Sequence, residues 1–168
     1  MGVVLKLYKT DKRQEKAPGE LPFIEDMTIE VYEPSIFRIS PDKSGWIRNK
    51  LWFLITLGNY KVIYIKKGAN LVHYSYIIPR NFRFPFMGKE DLQIGPCFTY
   101  PGYRNLGIYS RVLRLIPYLF GEAETIFWIY TSQTNIISQK AIEKSGFEFV
   151  AKMEISSFLR ILKTAEES

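Results

Sequence analysis

One cysteine, Cys97, and one histidine, His73, are all that 168 residues contain of either type. A single thiol excludes an intrachain disulfide, and one His with one Cys cannot complete a zinc site, so no metal is expected and a reducing compartment suits the chain. Long hydrophobic runs are missing as well. The longest, 51–57, falls far short of the roughly 20 apolar residues that cross a bilayer. At the N-terminus Val3-Val4-Leu5 is broken at once by Lys6, with Asp11-Lys12-Arg13 close behind, which is not a secretory signal. A cytoplasmic protein with no membrane partner is the expectation. Blocks of like charge are also absent. The net charge of +6 is scattered, so it favours anionic ligands such as phosphates without forming the basic stripe of a nucleic-acid reader, and no nucleic-acid partner is expected.

What the chain does have is 46% apolar residues, enough for one buried core, and 1–168 reads as a single domain. Residues 3–9 and 28–32 are short β-prone runs, with Ile29 and Val31 on one face of the second, separated by a loop containing Lys16-Ala17-Pro18-Gly19. Over 44–57, Trp46, Ile47, Leu51 and Leu54 recur at helical spacing and predict the buried face of a helix capped by Ser44 and stopped at Gly58-Asn59. Residues 60–65 and 71–78, rich in Val, Ile and Tyr, predict an antiparallel hairpin closed by 67–70. Pro79 and Pro85 make 79–88 a loop with sticky aromatic side chains.

A strand over 91–99 is interrupted by Gly95-Pro96, a pair that suits a bulge or a local splay. A helix from about Asn105 places Ile108, Val112, Leu115, Ile116 and Leu119 on one side, and Pro117 should kink or shorten its last turn. The strand over 125–130 comes next; strand, helix, strand with this crossover predicts a right-handed parallel pair. A second helix over 134–145 buries Ile137, Ala141 and Ser138 and stops at Gly146, and 147–161 holds one strand or two.

Two segments carry chemistry. Tyr103-Arg104-Asn105-Leu106-Gly107-Ile108-Tyr109 puts free amides, an arginine and a glycine where a helix begins, which is the geometry that holds a pyrophosphate. About thirty residues later comes Asn135-x-x-Ser138-x-x-Ala141-x-Glu143-Lys144-x-Gly146-Phe147. Together they resemble the cofactor-binding half of the GNAT acyltransferase superfamily. The resemblance covers 91–151 by motif and the hairpin by layout, while 1–59 carry no matching signature; residues 60–160 would form the hairpin and acyl-CoA-binding core. It implies an α/β (α+β) fold: a mixed, mainly antiparallel sheet of about six or seven strands, helices on both faces, and a splayed parallel central strand pair. Acetyl-CoA would be the co-substrate, held by Gly95, Cys97, Phe98 and Thr99 on the strand, by Arg104, Asn105, Leu106, Gly107, Ile108 and Tyr109 at the helix start, and by Asn135 and Ser138.

The chain departs from the family at three places. The last small residue of the first motif is Tyr109, the strand position that often carries a catalytic glutamate is Gly95, and the usual tyrosine acid of the second helix is Ile142. Proton transfer would then fall to other groups. His73 is a candidate base, with an ordinary pKa near neutrality, and Tyr130, Tyr74 and Tyr76 are candidate acids. The expected activity is direct acetyl transfer to a primary amine, of an amino sugar or a nucleotide-linked amino sugar, bound against the hairpin and 79–88 by a monomer or homodimer. The alternative is a non-catalytic acyl-CoA-binding sensor or scaffold.

Overall fold

The computed structural model describes residues 4–11, 26–35, 46–122, 124–155 and 161–164. Its strands are β1 (Val4–Thr10), β2 (Met27–Tyr32), β3 (Lys61–Lys67), β4 (Asn70–Pro79), β5 (Leu92–Thr99), β6 (Phe127–Ser132), β7 (Glu148–Ile155) and β8 (Leu162–Thr164), and its helices are α1 (Trp46–Thr56), α2 (Ile108–Phe120) and α3 (Ile136–Lys144). The strands join in one sheet of order β2-β3-β4-β5-β6-β1-β7-β8. Among the described strands only β5 and β6 run parallel; each other neighbouring pair is antiparallel. The sheet has one strand more than the expected six or seven, and β8, at three residues, is the shortest.

Both faces of the sheet are covered, which explains why β3 reads as an unbroken apolar run and not an alternating one. Ile63 and Ile65 pack with Val112 and Ile116 of α2, whereas Val62 and Tyr64 pack with Trp52 of α1 on the opposite face. The β6–β1–β7 half is covered on the α1 side by the chain between β4 and β5. Phe84 and Met87 from that segment sink among Leu5, Leu7 and Met153. The segment expected to offer sticky side chains to a substrate thus turns its Phe84 and Met87 into core. Asp91 pins its end, with Oδ2 accepting from the Gly88 amide and from Trp128 Nε1, each at 2.7 Å.

The inward face of α1 is not the expected one. Trp46, Ile47, Leu51 and Leu54 are all at least half exposed, and Asn49 and Trp52 point in. This helix is apolar nearly all round, so spacing alone did not choose a face. The choice falls to the tyrosines of the sheet beneath, whose hydroxyls need partners once buried. Arg48 donates to the Tyr76 hydroxyl at 2.9 Å and to the Tyr74 hydroxyl at 3.1 Å, Tyr60 donates to the Asn49 carbonyl at 3.1 Å, and Tyr76 donates to the Asn49 side chain. Capping by Ser44 and the loop at 16–19 lie outside the described residues.

In α2, Ile108, Val112, Leu115 and Ile116 are buried as expected, but Leu119 is exposed and Leu113 takes a core place. Pro117 does not end the helix. It lies in the last turn, where only one ladder bond is lost, and the Gly121 amide still reaches the Pro117 carbonyl at 3.0 Å. In α3 the inward residues are Gln139 and Ile142; Ile137 is exposed, and Ser138 and Ala141 are half-buried. Gly146, at φ 91, stops the chain there as its position predicts.

Candidate active site

Three rungs hold the parallel pair together: Leu92↔Phe127, Gln93↔Trp128 and Ile94↔Ile129. Beyond Ile94 the two strands part. The cause is local, because β5 shifts register against β4 where Gly95-Pro96 passes, and Gly95 takes φ 124, a conformation that other residues rarely adopt. A Cβ at that point would also stand 3.1 Å from Gln93 Nε2. The opened wedge leads into a cavity of about 720 Å³ bounded by β5, β6, the start of α2 and the start of α3.

The residues picked out from the two motifs converge on this cavity. Gly95, Cys97, Phe98 and Thr99 line its β5 wall, Arg104, Asn105, Gly107, Ile108 and Tyr109 its α2 end, and Asn135 and Ser138 its α3 end. Leu106 is not part of the lining and is nearly half exposed. The α2 end is open at the backbone. Gly107 precedes the helix at φ 72, no side chain caps it, and a Cβ there would meet nothing within 4 Å. The first amides of α2 therefore face outward without helical partners. At the other end Asn135 serves the fold, since its Oδ1 accepts from the Ser138 amide at 3.2 Å and caps α3. Arg104 lies back along the wall, donating to the Thr99 carbonyl at 3.1 Å with its guanidinium 5.6 Å from the Phe98 ring centre.

The candidate proton-transfer groups separate. Tyr130 lines the cavity from β6. His73 does not: it is wholly buried behind the β5 wall, with Nδ1 2.7 Å from Thr99 Oγ1 and Nε2 2.8 Å from Ser75 Oγ. Burial lowers its pKa to about 3, so the expectation of a base near neutrality is corrected to a neutral imidazole that braces two hydroxyls. Tyr74 and Tyr76 are also away from the lining, their hydroxyls accepting from Arg48. Ile142 is fully buried in the core. Burial pushes the Cys97 thiol up to about 12, against a smaller lowering by its hydrogen bond with Ser75, so it is not a thiolate at neutral pH. Tyr109, half-buried, is pushed well above the ordinary phenol range by burial and by Cys97, and keeps its proton.

Spacing alone missed Gln93, Ser110, Ile129 and Thr131, all in the lining. They flank the motifs in sequence and become neighbours only when the wedge opens. No residue of the hairpin or of 79–88 lines this cavity. Among the described residues no group of three or more His, Cys, Asp or Glu could hold a metal, and no helix is long and apolar enough to cross a membrane.

Solved structures share this architecture. A GNAT-family protein from Novosphingobium aromaticivorans aligns over 92% of this chain and 63% of its own, at a TM-score of 0.62 and 11% identity. A GCN5-related N-acetyltransferase from Sphaerobacter thermophilus aligns over 92% and 51%, at 0.62 and 9%. A GNAT-family acetyltransferase from Colwellia psychrerythraea aligns over 89% and 53%, at 0.59 and 14%. The fold is that of the GNAT acetyltransferases. Identities this low show the GNAT fold alone, and the chain spans 51% to 63% of the length of these three structures. A conserved Staphylococcus epidermidis protein of unknown function shares the fold too, at a TM-score of 0.57 and 12% identity. No protein-family model and no curated protein matches the chain.

Proposed function

We propose that this GNAT-fold chain is an acyl-CoA-dependent N-acyltransferase, using acetyl-CoA and a primary amine. The observation that carries the proposal is the wedge: two parallel strands that pair for three rungs and then part at Gly95, with an uncapped helix start at the far end of the cavity. The residues present fit coenzyme A. The α2 amides from Ile108 onward suit a diphosphate, and the open edge of β5 over 95–99 suits the amides of a pantetheine arm. When bound, acetyl-CoA supplies the activated acyl carbon.

The chain's own residues would do three things. The β5 backbone holds the arm extended, as an added strand would be held. Amides of β5 near Gly95 stabilise the negative charge that develops on the thioester oxygen as the amine attacks. Tyr130, on the facing wall with its ring against Phe84, is our candidate to give a proton to the departing sulfur. Orientation alone accounts for a large share of such a rate, since well-oriented intramolecular reactions gain about 7–11 kcal/mol. An amino sugar, free or nucleotide-linked, remains our choice of acceptor, with Phe98 and Arg104 at the cavity edge as partners for a ring and an anionic group. A cytoplasmic setting, with the chain acting as monomer or homodimer and with no nucleic-acid partner, completes this reading.

A second reading is favoured by one specific observation. The positions that supply base and acid in the resembled family hold Gly95 and a buried Ile142, and His73 is tied up behind the wall. A non-catalytic acyl-CoA sensor fits these facts. The experiment that separates the two is thermal unfolding with coenzyme A, followed by thiol release from acetyl-CoA with a panel of amines. Ligand at a hundred times its Kd should stabilise by about 2.7 kcal/mol under either reading. Amine-dependent thiol release is expected for the enzyme only; stabilisation without release would favour the sensor, and neither would end both.

A further inference from the structure

Gln93 carries a hydrogen-bond acceptor that nothing among the described residues uses. Its side chain is 2% exposed, Nε2 donates to the Ile94 carbonyl at 2.6 Å, and Oε1 is buried without a partner. Since only the nitrogen of an amide can donate to a carbonyl, that bond also fixes which end of the amide is which. The neighbours explain the orphan. Gln93 faces Ile78 across β4 and Trp128 across β6, and the Trp128 indole N–H already goes to Asp91 at 2.7 Å. Buried amide oxygens left without a donor are rare and call for an explanation; Gln93 also lines the cavity, one rung below the point where β5 and β6 part. The bare backbone of Gly95 keeps that apex open, because a Cβ would crowd Gln93 Nε2. Among the described residues, the lining contains no carboxylate, imidazole or lysine, and Gln93 Oε1 is the side-chain oxygen left without a partner beside that apex.

Building on the acyltransferase reading above, we propose that Gln93 Oε1 accepts an N–H of the attacking amine and sets its nitrogen at the apex of the wedge. The acceptor class is a primary amine in its uncharged form, which has one hydrogen to give to Oε1, one to lose, and a lone pair to attack. Its nitrogen forms a bond to the thioester carbonyl carbon, the carbon–sulfur bond breaks with its electron pair going to sulfur, and the proton lost by nitrogen ends on the thiol. Gln93 itself neither gains nor loses a proton. It positions.

The test uses the full chain and the variants Gln93→Leu and Gln93→Met, with acetyl-CoA and glucosamine, ethylamine, spermidine and alanine amide as acceptors. Coenzyme A affinity by calorimetry should stay within twofold of the unchanged chain in both variants. For whichever amine the unchanged chain turns over, kcat/KM should fall tenfold or more, with the larger part in KM for the amine and KM for acetyl-CoA unmoved. The proposal is overturned if either folded variant keeps the amine KM and kcat, or if coenzyme affinity falls in step with activity, which is what a merely structural side chain would do. Failure of the unchanged chain to release thiol with any of the four, while it still binds coenzyme A, would instead remove the acyltransferase reading and this assignment with it. Two variants of similar volume guard against one that does not fold.

Discussion

His73 shows how one buried residue can look like a catalyst and act as a brace. Its ring is wholly buried and joined to Thr99 and Ser75, so the folded state binds its proton only near pH 3, against about 6.5 in the unfolded chain. The unfolded chain therefore takes up more protons between those two values. Stability from this residue is intact above pH 6.5 and is lost as pH falls below it, at about 1.4 kcal/mol per pH unit. Urea unfolding at pH 7 and pH 5 should show that slope in the unchanged chain and a shallower one in His73→Gln. For the same reason the pH profile of thiol release should be the same in both; a profile that loses a step near neutrality in the variant would restore His73 as a base.

Gly107 makes the opposite case, a residue whose importance lies in what it leaves out. It holds φ 72 at the uncapped start of α2 with open space where a Cβ would go. Gly107→Ala tests backbone strain alone, and Gly107→Asp adds a negative charge beside the amides proposed to hold a diphosphate. Coenzyme A affinity by calorimetry should fall at least tenfold further in the aspartate variant than in the alanine one. Equal affinities would move the diphosphate elsewhere.

At the scale of elements, α1 separates what spacing can decide from what it cannot. Its apolar residues nearly encircle the helix, and the inward face is set by Tyr60, just before β3, and by Tyr74 and Tyr76 on β4, which it meets only in the folded chain. Trp52→Ala should then cost about 3–5 kcal/mol in chemical denaturation, as removal of a buried aromatic does. Leu54→Ala, at an exposed position, should stay within about 0.5 kcal/mol. The reverse ranking would put the face first expected back inside. The hairpin β3–β4 is readable because everything that fixes it is local, a two-residue turn between Val- and Tyr-rich runs. The segment before β5 reads as a loop, which it is, but its burial of Phe84 depends on Leu5 and Met153, distant in the chain.

For the whole molecule, the parallel pair and its parting are visible in advance, because the crossover through α2 dictates parallel strands and Gly95-Pro96 cannot continue a regular ladder. The place of β1 is not. It lies between β6 and β7, antiparallel to both, so the first described strand pairs with two neighbours that come more than a hundred residues later, a contact no short-range pattern encodes. The cavity lining is legible wherever motif and wall coincide, from Gly95 to Thr99 and, Leu106 excepted, from Arg104 to Tyr109. Gln93 is not, since its unpaired oxygen exists only when Ile78, Trp128 and Ile94 surround it.

The claim on which the functional account rests is that the wedge between β5 and β6 and the start of α2 together receive coenzyme A. Amide hydrogen exchange with and without coenzyme A tests it most directly. The account predicts slower exchange on binding at Cys97 to Thr99 and at Ile108 to Ser110, with β2 and β8 unchanged. Exchange at both segments unaltered by saturating coenzyme A, or slowed only elsewhere, would contradict it.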